Sequence, residues 1–222
     1  MLYIEQINEW DEVTYVPTTL GKVLLAVILV ILLVGAAYFA SKGKKEKKLS
    51  VKQLTFCALS IALGTILSNI KLFHFPTGGS ITLFSMLLIC LPGFLFGLRA
   101  GIMSGVAYGV LQLLIDPYVL YPMQLVVDYI LAFGALGLSG LFRKSENGLV
   151  KGYIAGVLGR FVFAVISGWI FFGSYAWEGW GALPYSLAYN AIYIFAEAAL
   201  TAIILLIPPV KKAFSIIKVM AN

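Results

Sequence analysis

Three ionisable side chains lie inside long apolar stretches of this sequence. Asp128 interrupts PMQLVVDYILAF (122–133), Arg160 interrupts GVLGRFVFAV, and Glu197 interrupts IYIFAEAALTAII. If these stretches cross a membrane, each charge costs about 2.5–3.5 kcal/mol on insertion scales. Intramembrane charges usually face one another or a polar cavity, so these three residues are the first candidates for chemistry.

Rings, small residues and one amide accompany these charges. One helical face, spaced i, i+4, carries Arg160, Ala164, Gly168 and Phe172. The further candidates are Asp128, Tyr129, Tyr185 and Asn190. A cavity with these side chains suits a small, flat, cationic molecule. The rings would supply cation–π contacts, and the carboxylate would accept a charged hydrogen bond.

The depths of the charges suggest how they pair. With a rise of 1.5 Å per residue, Arg160 and Glu197 lie roughly 20 Å and 18 Å below the same membrane face. Opposite charges at one depth relieve each other's desolvation, so we predict an ion pair between them. Asp128, roughly 9 Å deep, is then the acid without a protein cation.

Membrane-spanning helices must position these residues. The chain has 222 residues, of which 61% are hydrophobic and 12% charged, and its mean hydropathy is +0.96. A soluble domain is about 45–50% apolar and about 25% charged. A span needs about 20 mostly apolar residues. Seven segments qualify, at residues 20–41, 52–72, 81–97, 100–116, 122–142, 150–173 and 185–207.

The basic residues predict the orientation. With seven crossings, KGKKEKK (42–48), Arg99, the 143–151 loop and the lysines after residue 210 all fall on one side. The positive-inside rule makes that side cytoplasmic and the N-terminus external. Membrane topology thus explains the excess of basic over acidic residues, and we predict no nucleic-acid partner. The predicted segments are an external segment (1–19), an extra span (20–41), a basic linker (42–51), a six-helix domain (52–210) and a cytoplasmic tail (211–222).

The sequence contains no motif of a soluble enzyme. It lacks a phosphate-binding loop, HExxH, a metal-ligand spacing and GxSxG. We therefore expect no enzymatic activity, metal or cofactor in this chain, and energy for transport must come from a partner or an ion gradient. Two alternatives stay open. One is a proton-coupled carrier in which Asp128 or Glu197 relays protons, and the other is a membrane scaffold without a ligand.

Three stretches resemble a known family. RFVFAVISGWIFFGSYAWEGWGALPYSLAYN (160–190) resembles helices five and six of the thiamine-specific substrate-binding subunits (S components) of energy-coupling-factor transporters. PMQLVVDYILAF resembles their fourth helix, and FPTGGSITLFSMLLI (75–89) resembles their first outer loop and second helix. The first block, with its S-Y-A-W-x-G-W-G run, is the specific part.

This resemblance implies an all-α membrane protein, a six-helix S-component bundle with one extra N-terminal transmembrane helix. Such a subunit lies in the cell membrane of a prokaryote, captures thiamine from outside and releases it inward. Its partners would be a transmembrane scaffold protein and two ATPases, which consume the ATP. The small-residue docking motif of the family is matched by Ala58 and Ala62.

The resemblance also implies roles for residues of this sequence. The acid that contacts the aminopyrimidine falls on Asp128, and the positions implied with it are Tyr129, Arg160, Gly168, Phe172, Tyr185 and Asn190. Ala164 stands where the family has a histidine, and Phe172 stands where it has tryptophan. The loss of the histidine leaves a thiamine precursor or another vitamin as an alternative ligand.

Overall fold

The computed structural model describes residues 3–7, 13–20, 23, 49–75 and 77–221. Nearly all of the predicted extra span (20–41) and most of the basic linker lie outside these residues. From residue 51 onward the chain is mainly helical. The helices are α1 (Val51–Ser68), α2 (Ser85–Phe96), α3 (Leu98–Ile115), α4 (Val126–Phe142), α5 (Gly148–Phe171), α6 (Ala182–Leu206) and α7 (Pro208–Ala221).

The first six of these helices correspond to the six predicted spans of the 52–210 domain. Helices α1, α3, α5 and α6 are long and apolar enough to cross a membrane. Helices α2 and α4 are apolar but shorter. The α2 helix has 12 residues, ten of them buried, including Pro92. The chain is therefore a multi-pass membrane protein with a helical bundle, as its composition predicted.

Two antiparallel strand pairs were not predicted. Strands β1 (Tyr3–Ile7) and β2 (Val13–Pro17) form one pair, and β3 (Lys71–His74) and β4 (Ser80–Thr82) form the other. The second pair lies in the connection between α1 and α2. It shortens both predicted spans, because residues 71–72 and 81–82 belong to strands.

The predicted cytoplasmic tail contains helix α7. Val210, Phe214 and Ile217 follow one another at i, i+4 and i+7 and pack against the buried core. The Lys218 ammonium donates a hydrogen bond to the Arg143 carbonyl oxygen at 2.5 Å. This bond brings together the end of α4 and α7, so basic residues that are distant in sequence share one end of the bundle.

Glycines bring the backbone of α4 into close contact with α3 and α5. A Cβ atom added to Gly101 of α3 would lie 2.7 Å from the Gly137 carbonyl oxygen of α4. One added to Gly109 would collide with the Tyr129 carbonyl oxygen. From α5, a Cβ at Gly156 would lie 2.8 Å from the Leu136 carbonyl oxygen. Small residues at four-residue spacing permit this approach in membrane helices.

Glu197 of α6 caps the N-terminus of α2. The carboxylate is 2% exposed and accepts four hydrogen bonds. Its donors are the Thr82 N–H (3.3 Å) and hydroxyl (2.6 Å), the Ser85 hydroxyl (3.2 Å) and the Met86 N–H (3.0 Å). The residue before α2, Phe84, provides no side-chain cap. A carboxylate is stabilised there because a helix N-terminus carries partial positive charge and unpaired N–H groups.

The predicted ion pair between Arg160 and Glu197 is therefore wrong. The ion pair found among the described residues joins Lys71 and Asp116 instead. Two hydroxyls and two backbone N–H groups satisfy the Glu197 carboxylate without a cation. The depths of charged residues along the sequence do not reveal partners of this kind.

We expect Glu197→Ala to lower the melting temperature of the purified chain, with a loss of about 2 kcal/mol or more. The substitution leaves buried donors at the start of α2 unpaired, each of which costs about 1–3 kcal/mol. Thermal unfolding in detergent, followed by circular dichroism, measures this effect. Glu178→Ala serves as the control, because Glu178 is exposed. Equal melting temperatures for the Glu197 variant and the wild type would contradict the capping role.

Candidate ligand-binding site

One cavity of about 250 Å³ opens at the end of the bundle that carries β3 and β4. Its wall is built from both strands of this pair, from residues of all six helices α1 to α6, and from the segments that connect them. All eight predicted ligand residues line it, namely Asp128, Tyr129, Arg160, Ala164, Gly168, Phe172, Tyr185 and Asn190. Helical spacing and the resemblance thus selected residues that the fold brings together.

Asp128 lies on the first turn of α4, where the backbone forms a π-helical segment, Val126–Leu131. Such segments are rare and often occur at functional sites. The Gln124 amide N–H donates to the Asp128 carboxylate at 3.0 Å. It also donates to the Tyr118 carbonyl oxygen, while the Gln124 side-chain oxygen accepts the Leu120 N–H at 2.9 Å. Gln124 therefore ties the α3–α4 connection to the carboxylate and orients it.

The hydroxyl of Tyr129 is engaged within the protein. It accepts the Tyr118 N–H at 2.7 Å and also bonds with the Tyr118 carbonyl oxygen at 3.4 Å. Tyr129 is buried, and its ring packs with Leu113 and Val119. The predicted ligand role of Tyr129 is thus restricted to its ring, and its hydroxyl fixes the loop that carries Tyr118.

Aromatic rings form two sides of the cavity. The rings of Tyr118 and Phe172 stack with centroids 6.2 Å apart and an interplanar angle of 14°. On α6, Tyr185, Tyr189 and Tyr193 follow at i, i+4 and i+8, with successive centroids 5.6 Å apart. These faces can hold a flat or cationic ring, because the π-system carries negative charge on its face.

Asn190 and Gly168 lie at the contact between α5 and α6. The Asn190 amide N–H₂ donates to the Ala164 carbonyl oxygen (3.3 Å) and the Ser186 carbonyl oxygen (2.8 Å). The Asn190 side-chain oxygen accepts the Tyr193 hydroxyl at 2.6 Å. Gly168 faces the Ser186 hydroxyl so closely that a Cβ there would collide with it. The amide thus holds the two helices together as well as lining the cavity.

Arg160 reaches the cavity from α5. Its guanidinium carbon lies 4.6 Å above the centroid of the Phe133 ring, a cation–π contact. In the described part of the chain it forms no ion pair within the 4.0 Å limit that defines one. One turn later Ala164 is buried and contributes only a methyl group to the wall.

Polar contacts organise the mouth of the cavity. The Lys71 ammonium and the Asp116 carboxylate pair at 2.5 Å and join β3 to the end of α3. The Gly79 N–H donates to the Tyr189 hydroxyl at 3.0 Å. Gly78 has φ of +87° and packs on the Tyr118 ring, a backbone conformation that glycine adopts without strain. The Gly78-Gly79 turn therefore sits on two rings of the cavity wall.

Several lining residues were not among the predictions. Tyr118, Tyr189 and Ser167 line the cavity as directly as the predicted residues do. The Tyr185–Tyr189–Tyr193 spacing was a readable signal for Tyr189. Tyr118 lies in a connection whose course depends on the hydrogen bonds of Gln124 and Tyr129. Among the described residues, no group of three His, Cys, Asp or Glu side chains is arranged to hold a metal ion.

Comparisons with known proteins agree with this architecture. The family described as "Thiamine transporter protein (Thia_YuaJ)" matches residues 54–217. Thiamine transporter ThiT of Bacillus subtilis (strain 168) is 38% identical over 144 residues, which cover 59% of this chain and 74% of that protein. ThiT of Lacticaseibacillus paracasei is 30% identical over 125 residues, which cover 49% of this chain and 62% of that protein.

A solved structure shows the same fold. The structure of ThiT from Listeria monocytogenes superposes with a TM-score of 0.60 at 26% identity and covers 73% of this chain and 96% of its own. The family match extends over well more than half of the sequence, from before the middle of α1 into α7. The chain therefore belongs to the thiamine transporter protein family.

Proposed function

We propose that this chain binds thiamine as the substrate-capture subunit of an energy-coupling-factor importer. The observation that carries the proposal is that all eight residues expected to bind thiamine line one cavity, in a chain of a thiamine transporter family. A cavity of about 250 Å³ suits a small molecule rather than a peptide or a lipid tail.

The chemistry of the cavity matches the two rings of thiamine. The aminopyrimidine ring carries N–H donors, and the Asp128 carboxylate, oriented by Gln124, can accept from them. The thiazolium ring is a flat cation, and the stacked rings of Tyr118 and Phe172 offer an aromatic wall for it. Ala164 leaves room where the family has a histidine, so the two ring contacts and the acid must supply most of the recognition.

Transport would be driven by partner proteins. In this proposal the subunit docks on a transmembrane scaffold protein, and two ATPases supply the energy for inward release. Ala58 and Ala62 lie on the exposed side of α1, opposite the buried Cys57, Ser60 and Gly64. Two small residues one turn apart let a partner helix approach closely. We therefore assign this face of α1 to the scaffold protein.

The cavity end of the bundle would face the outside of the cell. Arg99, Arg143, Lys151 and Lys211 lie at or near the opposite ends of the helices, between α2 and α3, α4 and α5, and after α6. Basic residues favour the cytoplasmic side, which leaves the cavity open to external substrate and the C-terminal helix α7 inside.

We expect Asp128→Asn to weaken thiamine binding at least about tenfold, or ~1.4 kcal/mol, because the neutral amide accepts a weaker hydrogen bond. Titration of the detergent-purified chain with thiamine, followed by tryptophan fluorescence, measures the affinity. Trp177 is a suitable reporter, since its ring lies edge-on to Tyr185 at 5.3 Å. Glu146→Gln is the control, because Glu146 is exposed in the connection after α4. Saturable binding of equal affinity in the Asp128 variant would remove Asp128 from the site.

We expect Ala58→Leu combined with Ala62→Leu to abolish uptake in cells that contain the transporter module, and to leave thiamine affinity of the isolated chain unchanged. The leucines would hold the partner helix away without reaching the cavity. Co-purification with the scaffold protein and uptake of labelled thiamine are the measurements. Ala199→Leu adds the same bulk at an exposed position of α6 and serves as the control. Normal assembly of the double variant would exclude this face as the docking site.

A further inference from the structure

A buried hydroxyl without a hydrogen bond lies in the wall of the cavity. Among the described residues, the buried side-chain oxygens that lack a partner belong to Thr77, Tyr153 and Ser167. Tyr153 does not line the cavity, whereas Thr77 and Ser167 both do, Thr77 from the turn between β3 and β4. Ser167 lines the cavity from the rigid helix α5 and is only 1% exposed. Buried polar groups in native proteins are rarely left unpaired, so Ser167 calls for a partner.

The neighbouring polar side chains of Ser186 and Asn190, unlike Ser167, have hydrogen-bond partners within the protein. The Ser186 hydroxyl donates to the Val165 carbonyl oxygen at 2.8 Å, across the contact between α5 and α6. The Asn190 amide is fully engaged within the same contact. On this side of the cavity, contacts between α5 and α6 therefore satisfy Ser186 and Asn190, and the Ser167 hydroxyl remains without a hydrogen bond.

The position of Ser167 relative to Asp128 indicates what the partner is. Ser167 lies beside the Asp128 carboxyl in the cavity wall, and its hydroxyl has no hydrogen-bond partner within standard distance and angle limits. An ionised carboxylate only accepts hydrogen bonds, whereas a serine hydroxyl can donate one. The wall therefore presents an acceptor and a potential donor side by side. The two together complement a ligand edge that carries a donor next to an acceptor.

We propose that Ser167 is a ligand-binding residue that donates a hydrogen bond to a ring nitrogen, while Asp128 accepts one from the adjacent amino group. In a 4-aminopyrimidine, the amino group is a donor and the neighbouring ring nitrogen is an acceptor. Rotation about the Cα–Cβ bond, together with free rotation of the hydroxyl hydrogen, turns the Ser167 donor toward the ligand. This inference rests on the proposed function, because it requires an aminopyrimidine in the cavity.

The pairing divides specificity between the two residues. An analogue with an oxo group in place of the amino group places an acceptor against the Asp128 carboxylate, which can only accept, whereas the Ser167 hydroxyl can still accept from the adjacent N–H. Sites that hydrogen-bond a substrate group discriminate strongly against analogues that lack it, because buried polar groups are then left unpaired. Asp128 would therefore reject the oxo analogue, and Ser167 would distinguish a ring nitrogen from a C–H group at the same position.

The test is Ser167→Ala, assayed by fluorescence titration with thiamine and with an analogue that carries C–H in place of the ring nitrogen next to the amino group. We expect thiamine affinity to fall about fivefold and affinity for the C–H analogue to change less than about twofold, because one hydrogen bond is lost with thiamine only. The melting temperature of the unliganded variant should not fall, since the substitution removes an unpaired buried hydroxyl. Thiamine should therefore raise the melting temperature of the variant less than that of the wild type.

Ser139→Ala is the matched control. Ser139 is fully buried away from the cavity, and its hydroxyl donates to the Cys90 carbonyl oxygen at 2.7 Å. We expect this variant to lose thermal stability and to keep its thiamine affinity. Ser167→Cys, which retains the size of the side chain with a weaker donor, should bind thiamine with intermediate affinity. If the Ser167→Ala variant does not fold, the affinity of Ser167→Cys for thiamine tests the proposal instead.

The outcomes separate the inference from the function on which it rests. A wild-type chain that does not bind thiamine overturns the proposed function and this inference with it. Thiamine binding by the wild type with unchanged affinity in the Ser167 variants overturns only the role of Ser167. Equal losses for thiamine and the C–H analogue would mean that Ser167 acts through helix packing, which also contradicts the proposal.

Discussion

The close contact of α4 with α3 and α5 is the constraint on which the site depends. Glycines on both neighbouring helices leave no room for a side chain between the backbones, so the position of α4 against them is closely restricted. Asp128 and Tyr129 lie on the first turn of this helix, beside the Gly109 contact. Their place in the cavity wall is therefore a property of backbone packing. A side chain at Gly109 would displace both residues.

The cavity wall divides into groups that hold the protein together and groups that remain for a ligand. Tyr129 and Asn190 hydrogen-bond within the protein, the first to a loop and the second across two helices. Gln124 uses its amide to orient Asp128. The groups left to face a ligand include the Asp128 carboxylate, the Ser167 hydroxyl and the flat faces of Tyr118 and Phe172. Recognition is thus concentrated in few contacts on a rigid wall, which lowers the entropy lost on binding.

The sequence predicted the bundle and the cavity, but not the local contacts that depend on distant residues. Long apolar segments and helical spacing were sufficient to place Arg160, Gly168 and Phe172 on one face. The π-helical turn at Asp128 and the strand pair between α1 and α2 could not be predicted from the sequence. They depend on tertiary contacts that override the local preference of the chain.

The hydrogen-bond partners of Glu197 show why contacts between residues distant in sequence could not be predicted. From the sequence, an acid in an apolar helix suggests a cation, and Arg160 lay at a suitable depth. The structure instead supplies donors from Thr82, Ser85 and Met86. Backbone N–H groups at a helix start carry no sequence signature, so a charge can be neutralised by a partner that composition does not reveal.

The cap on α2 has a consequence for the order in which the protein is built. Helix α2 has 12 residues and is about 18 Å long. A bilayer core is about 30 Å thick, so this helix is too short to span it alone. The carboxylate that completes its first turn comes from Glu197, 111 residues after Met86. During synthesis, α2 is therefore translated long before Glu197, the residue that caps it. The mouth of the cavity can form completely only after α6 has entered the membrane. A chain truncated before α6 would leave the Met86 N–H at the start of α2 without the Glu197 carboxylate.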